Sequence, residues 1–238
     1  MARAVTALRE RTRELLLDAA VRVFARKGAG AAAIHEIAAE AGVANGTFYN
    51  YFRTRAALLE ATSVHLALRL HHAIAASRTA IADPAERVAI GCRRFVLQAR
   101  VDPVWGAALL RVWHSSPTPS ATAADPLLAD IRAGRRAGRL RYTSETVALD
   151  LIQGAVLAGM RSVLEGRPSH GASRAASHTA VDADVHASAI AGVILRGLDV
   201  PGREADAIAT RPLPPIAELP VLPATPVQLR PSKRRVRR

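Results

Sequence analysis

Apolar residues in the first part of the chain recur in steps of three, four and seven. In TALRERTRELLLDAAVRVFARKG they fall at Leu8, Leu15, Leu16, Ala19, Ala20, Val23 and Phe24, one face of a 3.6-residue period. Lys27 and Gly28 supply a basic last turn and a C-cap. IHEIAAEAG repeats the pattern briefly through Ile34, Ile37, Ala38 and Ala41, and Gly42 ends it. Asn45-Gly46 then restarts the chain into GTFYNYF. Helix, short glycine-containing turn, helix: these are the dimensions of a helix-turn-helix. From Arg55 a long helical pattern runs through Leu58, Leu59, Thr62, Leu66, Leu70 and Ile74.

Three later helix starts share one device. Asp83-Pro84, Asp102-Pro103 and Asp125-Pro126 each pair an N-cap acceptor with proline at the first helical position. They predict helices over about 84–100, 103–115 and 126–138. Two more are expected over about 144–165 and 179–198, separated by the polar loop RPSHGASRAASH. No alternating strand pattern competes. The expected fold is therefore all-α, with about nine helices: an N-terminal three-helix head at 8–54 and a helical-bundle body at 55–199. From Val200 the character changes. Eight prolines fall within residues 200–238, which end in KRRVRR, and a disordered tail is expected there.

Composition narrows the class. The chain has 238 residues and a net charge of +13, enough length for one or two domains with a real core. The surplus is +4 over residues 1–55, +4 over 56–199 and +5 over 200–238. Such a balance favours polyanionic partners, nucleic acid before a membrane surface. No charge-free apolar run reaches about 18 residues, so no membrane span is expected. The N-terminus lacks a signal-like apolar stretch, and a single cysteine, Cys92, forms no internal disulfide. A cytoplasmic protein is the expectation.

The aromatic residues are unevenly placed. Of four Phe and three Tyr, four sit at Phe48, Tyr49, Tyr51 and Phe52. Phe48 and Phe52, four apart, form one helix face able to pack on Ile37 and Phe24, while Tyr49 lies on another face and is expected to reach phosphate. Gly46 leaves the helix start without a side chain, and Thr47 offers a hydroxyl or a methyl.

The stretch GAGAAAIHEIAAEAGVANGTFYNYFRTRAALL resembles the DNA-binding segment of TetR-type bacterial transcriptional regulators. The resemblance rests on Ile37-Ala38, on Ala41-Gly42-Val43 at the turn, on the run from Gly46 to Phe52, on Arg55, and on Leu58-Leu59. The motif occupies about residues 33–52. It implies a homodimer on a pseudo-palindromic double-stranded operator, usually a repressor in this family, with a small-molecule effector in the body. By matched position, His35, Asn45, Thr47 and Asn50 would read bases, while Gly46 admits a close approach and Tyr49, Tyr51 and Arg55 hold the phosphates. Ala32, Ala33 and Ala44 stand where the family usually carries hydroxyls, so Asn45 is either a helix cap or a base reader. The alternative is a helical adaptor or membrane-surface protein whose basic charge serves another partner.

Further candidates lie in the body. His65, Gln98, Trp105, Trp113 and His114 are candidate lining of a ligand cavity. Val156, Gly159, Val163, Val185, Ala189 and Gly192 are candidate dimer contacts, on two apolar helices expected to form a four-helix bundle with their copies. His65 and His72 are two helical turns apart, too far to share an ion, so no metal is expected. No catalytic constellation or cofactor loop is recognisable, and neither an enzyme nor a cofactor is expected.

Overall fold

The computed structural model describes residues 2–115, 121–166 and 182–217. Side chains of 2–5 and 114–125 lie outside that description. Ten helices and no strand occur among the described residues: α1 (Ala2–Lys27), α2 (Ile34–Glu40), α3 (Asn45–Tyr49), α4 (Arg55–Ser77), α5 (Pro84–Val101), α6 (Pro103–Ser115), α7 (Ala121–Arg136), α8 (Glu145–Leu164), α9 (Ala183–Gly197) and α10 (Gly202–Ala209).

The head is α1–α3 around its own core. Leu16, Leu17, Ala20, Val23 and Phe24 of α1 meet Ile37 and Ala38 of α2, then Phe48 and Phe52. Gly28 at φ +82 ends α1 and Gly42 at φ +68 turns the chain out of α2, both in the left-handed region that glycine enters without a Cβ penalty. Ion pairs fix α2 on α1. Glu40 takes Arg22 and Arg26 at 2.7 Å each. Partial burial works against the Glu40 charge, but the two guanidiniums prevail and hold its carboxyl below the usual range. The missing hydroxyl at the start of α2 is partly replaced. Ala33 is the N-cap and has no side-chain acceptor, yet its N–H donates to Glu36 Oε2 at 3.2 Å, half of a capping box.

The body is built on α5, which packs against α6, α7, α8, α9 and α10. Two of the expected aspartate caps form. Asp83 accepts from the Ala85 N–H at 3.0 Å and Asp102 from the Trp105 N–H at 2.9 Å. The third helix start differs, because α7 begins at Ala121 and carries Pro126 inside it.

The expectation of a disordered tail from Val200 is corrected over residues 200–217. Asp199, at φ 68, turns the chain out of α9, and α10 lays Ala205, Ile208 and Ala209 into the body core. Residues 210–217 follow along the surface, with Leu213 and Ile216 against the same core. Residues 218–238, including KRRVRR, lie outside the described residues. Among the described helices, α8 alone is long and apolar enough to cross a membrane by length and composition. Here it packs on α5, α6 and α9, and its outward face keeps apolar residues exposed.

Candidate nucleic-acid interface and internal cavity

A five-residue helix is too short to stand alone, and α3 is held from beneath. Phe48 is fully buried and Phe52 nearly so. Their ring centroids are 5.7 Å apart, and Tyr49 meets Phe48 edge-on at 5.6 Å. Arg13 of α1 lies over the Phe52 ring at 5.8 Å. Ile37 and Phe24 belong to the same cluster.

This anchoring turns a polar face outward. His35, Asn45, Gly46 and Asn50 are exposed, Thr47 is half-buried, and Tyr49 is 50% exposed. Ala44, not Asn45, is the N-cap of α3 and gives no side-chain cap bond. Asn45 is the first helical residue, so its amide is not a cap. At Gly46 an added Cβ would meet nothing within 4 Å, and its φ is not positive. Neither internal packing nor backbone geometry demands a glycine there. Tyr51 is half-buried against the head core. Arg55 opens α4 behind the cap Thr54, whose hydroxyl accepts from the Ala57 N–H at 3.1 Å. Its guanidinium donates to the Ala29 carbonyl, so one of its five N–H groups is engaged with the protein.

The body contains a cavity of about 90 Å³ between α4, α5, α6, α7 and α8. Phe95, Leu109, Trp113, Val156 and Met160 form much of its wall, and Arg78, Arg87 and Asp130 its polar end. Of the candidate lining residues, Trp113 is there. His65 instead pairs with Asp18 of α1 at 3.0 Å, because its face of α4 looks toward the head. Trp105 is buried, with Nε1 donating to the Leu66 carbonyl at 3.0 Å, and its ring meets that of Phe95 at a tilt of 48° rather than lining the space. Gln98 lies about one turn beyond Phe95, past the cavity. The side chain of His114 lies outside the described residues. Arg78, Arg87 and Asp130 were missed because they come from three separate helix segments, and no local pattern links them.

The candidate dimer residues divide. Val156 and Gly159 face inward: Val156 lines the cavity, and a Cβ on Gly159 would fall 2.1 Å from Ile190 Cδ1. Gly192 is covered by α10, with Asp206 and Ala209 over its Cα. Val163 is half-buried, whereas Val185 and Ala189 are exposed. The outward apolar strip runs instead through Val147 and Leu151 on α8, with Val185, Ala189 and Val193 on α9. Leu151 reaches Gly197, where a Cβ would fall 2.6 Å from Leu151 Cδ2, so the two helices share one surface.

The fold and the α3 face define a helix-turn-helix head carried on a helical body. Residues 16–62 match the model of the bacterial regulatory proteins of the tetR family, and residues 83–211 match a tetracyclin repressor-like C-terminal domain. The chain belongs to the tetR family. The HTH-type transcriptional regulator YerO of Bacillus subtilis is 43% identical over 47 residues, 20% of this chain and 16% of that one. Rv1255c of Mycobacterium tuberculosis is 30% identical over 104 residues, 44% and 49% of the two chains. The chain thus spans about half the length, or less, of these curated relatives. Among solved structures, RolR in complex with resorcinol is 27% identical, with a TM-score of 0.63 over 89% of this chain and 100% of that one. FadR of Bacillus subtilis in complex with stearoyl-CoA, at 18% identity, 77% and 98% coverage and a TM-score of 0.59, shows the same fold.

Proposed function

We propose that the chain is a sequence-specific DNA-binding transcriptional regulator, a ligand-responsive repressor that binds a pseudo-palindromic operator as a homodimer. One observation carries this: an exposed Asn45–Asn50 face whose only covered ring, Phe48, is anchored in the head core. In this reading α3 enters the major groove, Asn45, Thr47 and Asn50 meet base edges, and Tyr49 and Arg55 meet phosphates. His35 and Tyr51 flank the same face. The DNA-binding unit is 8–54 and the regulatory unit is 55–199 extended to 217. The reading implies a cytoplasmic protein.

The test uses operator DNA selected by the protein from its own upstream region. Tyr49→Phe removes one exposed hydroxyl and leaves the ring contact with Phe48. A hydrogen bond to a charged group contributes about 1.5–3 kcal/mol, so binding should weaken by about tenfold or more. Asn45→Ala should weaken it further at one operator position only. Parent-like binding by both variants, read by fluorescence anisotropy, would exclude α3 as the reading helix.

The dimer is proposed to close on the outward strip. Val147, Val185 and Val193 are each more than half exposed, and Leu151 lies between the two helices. Contiguous apolar exposure of this kind marks an interface. The double change Leu151→Glu and Val193→Glu should yield monomers by light scattering, whereas Val156→Ala, inward-facing, should leave the dimer intact.

A ligand acts on DNA only if it binds the DNA-incompetent arrangement better. The mechanical path for this is short. Both α4 and α6 wall the cavity through Ala67, His71, Leu109 and Trp113. The same helices place Leu58 and Val112 in the head core, and Arg111 donates to the Ala25 carbonyl near the end of α1. Moving α4 against α6 therefore moves α1. The RolR complex with resorcinol supports a small occupant in a body of this fold.

A further inference from the structure

The polar end of the cavity carries more positive charge than negative. Arg78 Nη2 lies 2.6 Å from Asp130 Oδ2, and Arg87 Nε lies 2.9 Å from Asp130 Oδ1. Arg78 also donates to the Arg87 carbonyl at 2.7 Å, and Arg87 to the Ile81 and Ala82 carbonyls at 3.2 and 3.0 Å. Two cations therefore share one carboxylate, whose oxygens are each committed to one guanidinium. The Arg78 and Asp130 side chains are only 9% and 11% exposed. Among the described residues the cavity wall holds no second carboxylate. The Cys92 thiol in the same wall is pushed up to about 12 by burial, so it supplies no negative charge at neutral pH. Each guanidinium has five N–H groups, and the bonds above leave some on both. The Arg87 side chain is 24% exposed, and two guanidiniums facing one carboxylate leave a net positive charge at this end that favours an anion.

The rest of the wall is mainly apolar and aromatic, through Phe95, Trp113, Leu109, Val156 and Met160, with His71 and Gln153 as its further polar side chains. The space of about 90 Å³, where one water needs roughly 10–15 Å³, suits a single-ring molecule and not a long chain. We infer that the cavity takes a small monocarboxylate, its carboxylate on Arg78 and Arg87 and its apolar body against Phe95 and Trp113. The inference rests on the proposed reading of this cavity as the effector site. Planar, paired N–H groups match a carboxylate in two directions, which sets the orientation of the ring.

The experiment is isothermal titration of the full chain with benzoate, with benzamide, which has nearly the same shape and no charge, and with resorcinol. Benzoate should bind at least tenfold tighter than either. Arg87→Gln should weaken benzoate by tenfold or more and leave benzamide unchanged. Arg87→Lys, which keeps the charge, should retain most of the preference and controls for any loosening of the fold. Gly91 lines the cavity, and a Cβ there meets nothing within 4 Å, so Gly91→Leu should abolish benzoate binding by occupying the space. Equal or tighter binding of benzamide or resorcinol overturns the carboxylate assignment and leaves a cavity for neutral ligands. Benzoate binding that survives Gly91→Leu, or no binding of any of the three probes, overturns the inference outright. Operator release is measured separately: benzoate that binds in the cavity yet releases no DNA supports the ligand class and rejects the effector reading.

Discussion

Phe48→Ala should destabilise the head by about 3–5 kcal/mol, the usual cost of deleting a buried aromatic ring. Phe48 has no exposed surface and touches both Tyr49 and Phe52. It is the one buried residue of α3. A helix of five residues makes almost no stabilising bonds of its own, so its position depends on that ring. Small domains have total stabilities of about 5–15 kcal/mol, and the head alone is a modest structure with a modest core. The variant should therefore lose operator binding entirely under conditions where Tyr49→Phe merely weakens it. The body should respond far less, because its core around α5 is a separate cluster. The expected signature is a low-temperature unfolding step that is small in helical signal, followed by a second step close to the parent's. Calorimetry and circular dichroism on the full chain read both. A single parent-like transition with operator binding retained would show that α3 does not depend on this anchor.

The head was legible in the sequence because its signals are local. Glycine at 28 and 42, apolar steps along α1 and α2, and two phenylalanines four apart all lie within one short stretch, and each has a direct physical meaning. The caps Asp83 and Asp102 were legible for the same reason. The body's functional features were not. α8 is apolar on several faces, so its pattern carries no phase: one position along a helix is a turn of about 100°, which separates inward Val156 and Gly159 from outward Ala158 and Gly154. The cavity's polar end needs Arg78, Arg87 and Asp130 brought together across three helix segments, and sequence spacing says nothing of that. α10 was hidden by composition. Its Ala205, Ile208 and Ala209 keep a helical period, but the prolines on either side made the whole segment look unstructured.

The consequence of α10 is that the place where the C-terminus is cut decides the outcome. A chain ending at Val200 would lose α10 and residues 210–217 together. Ala205, Ile208 and Ala209 would leave the core, and Gly192 would be uncovered. Arg139 bridges Asp83 and Glu204 at 2.9 and 2.8 Å, and it would lose the second partner. Arg93, 7% exposed, donates to the Arg211 carbonyl at 2.6 Å, and Arg94 donates to the Pro214 carbonyl. Burial disfavours the charge on both arginines, the pull of Asp184 notwithstanding. Removing those carbonyls loses two hydrogen bonds whose guanidiniums water then solvates, a net loss of about 0.5–1.5 kcal/mol each, and burial of one isoleucine alone contributes about 1.5–3 kcal/mol. The chain ending at Val200 should therefore be destabilised by on the order of 4 kcal/mol or more, and should express poorly or unfold well below the parent. A chain ending at Ala217 keeps every one of these contacts. It should therefore unfold well above the chain ending at Val200, while losing the basic KRRVRR end. If that end attracts phosphate, the salt dependence of operator binding will flatten by about 0.9 in slope for each phosphate no longer neutralised. An unchanged slope in the chain ending at Ala217 assigns the tail no part in DNA binding. Equal stability of the two truncated chains would instead show that α10 does not hold α5 and α9 together.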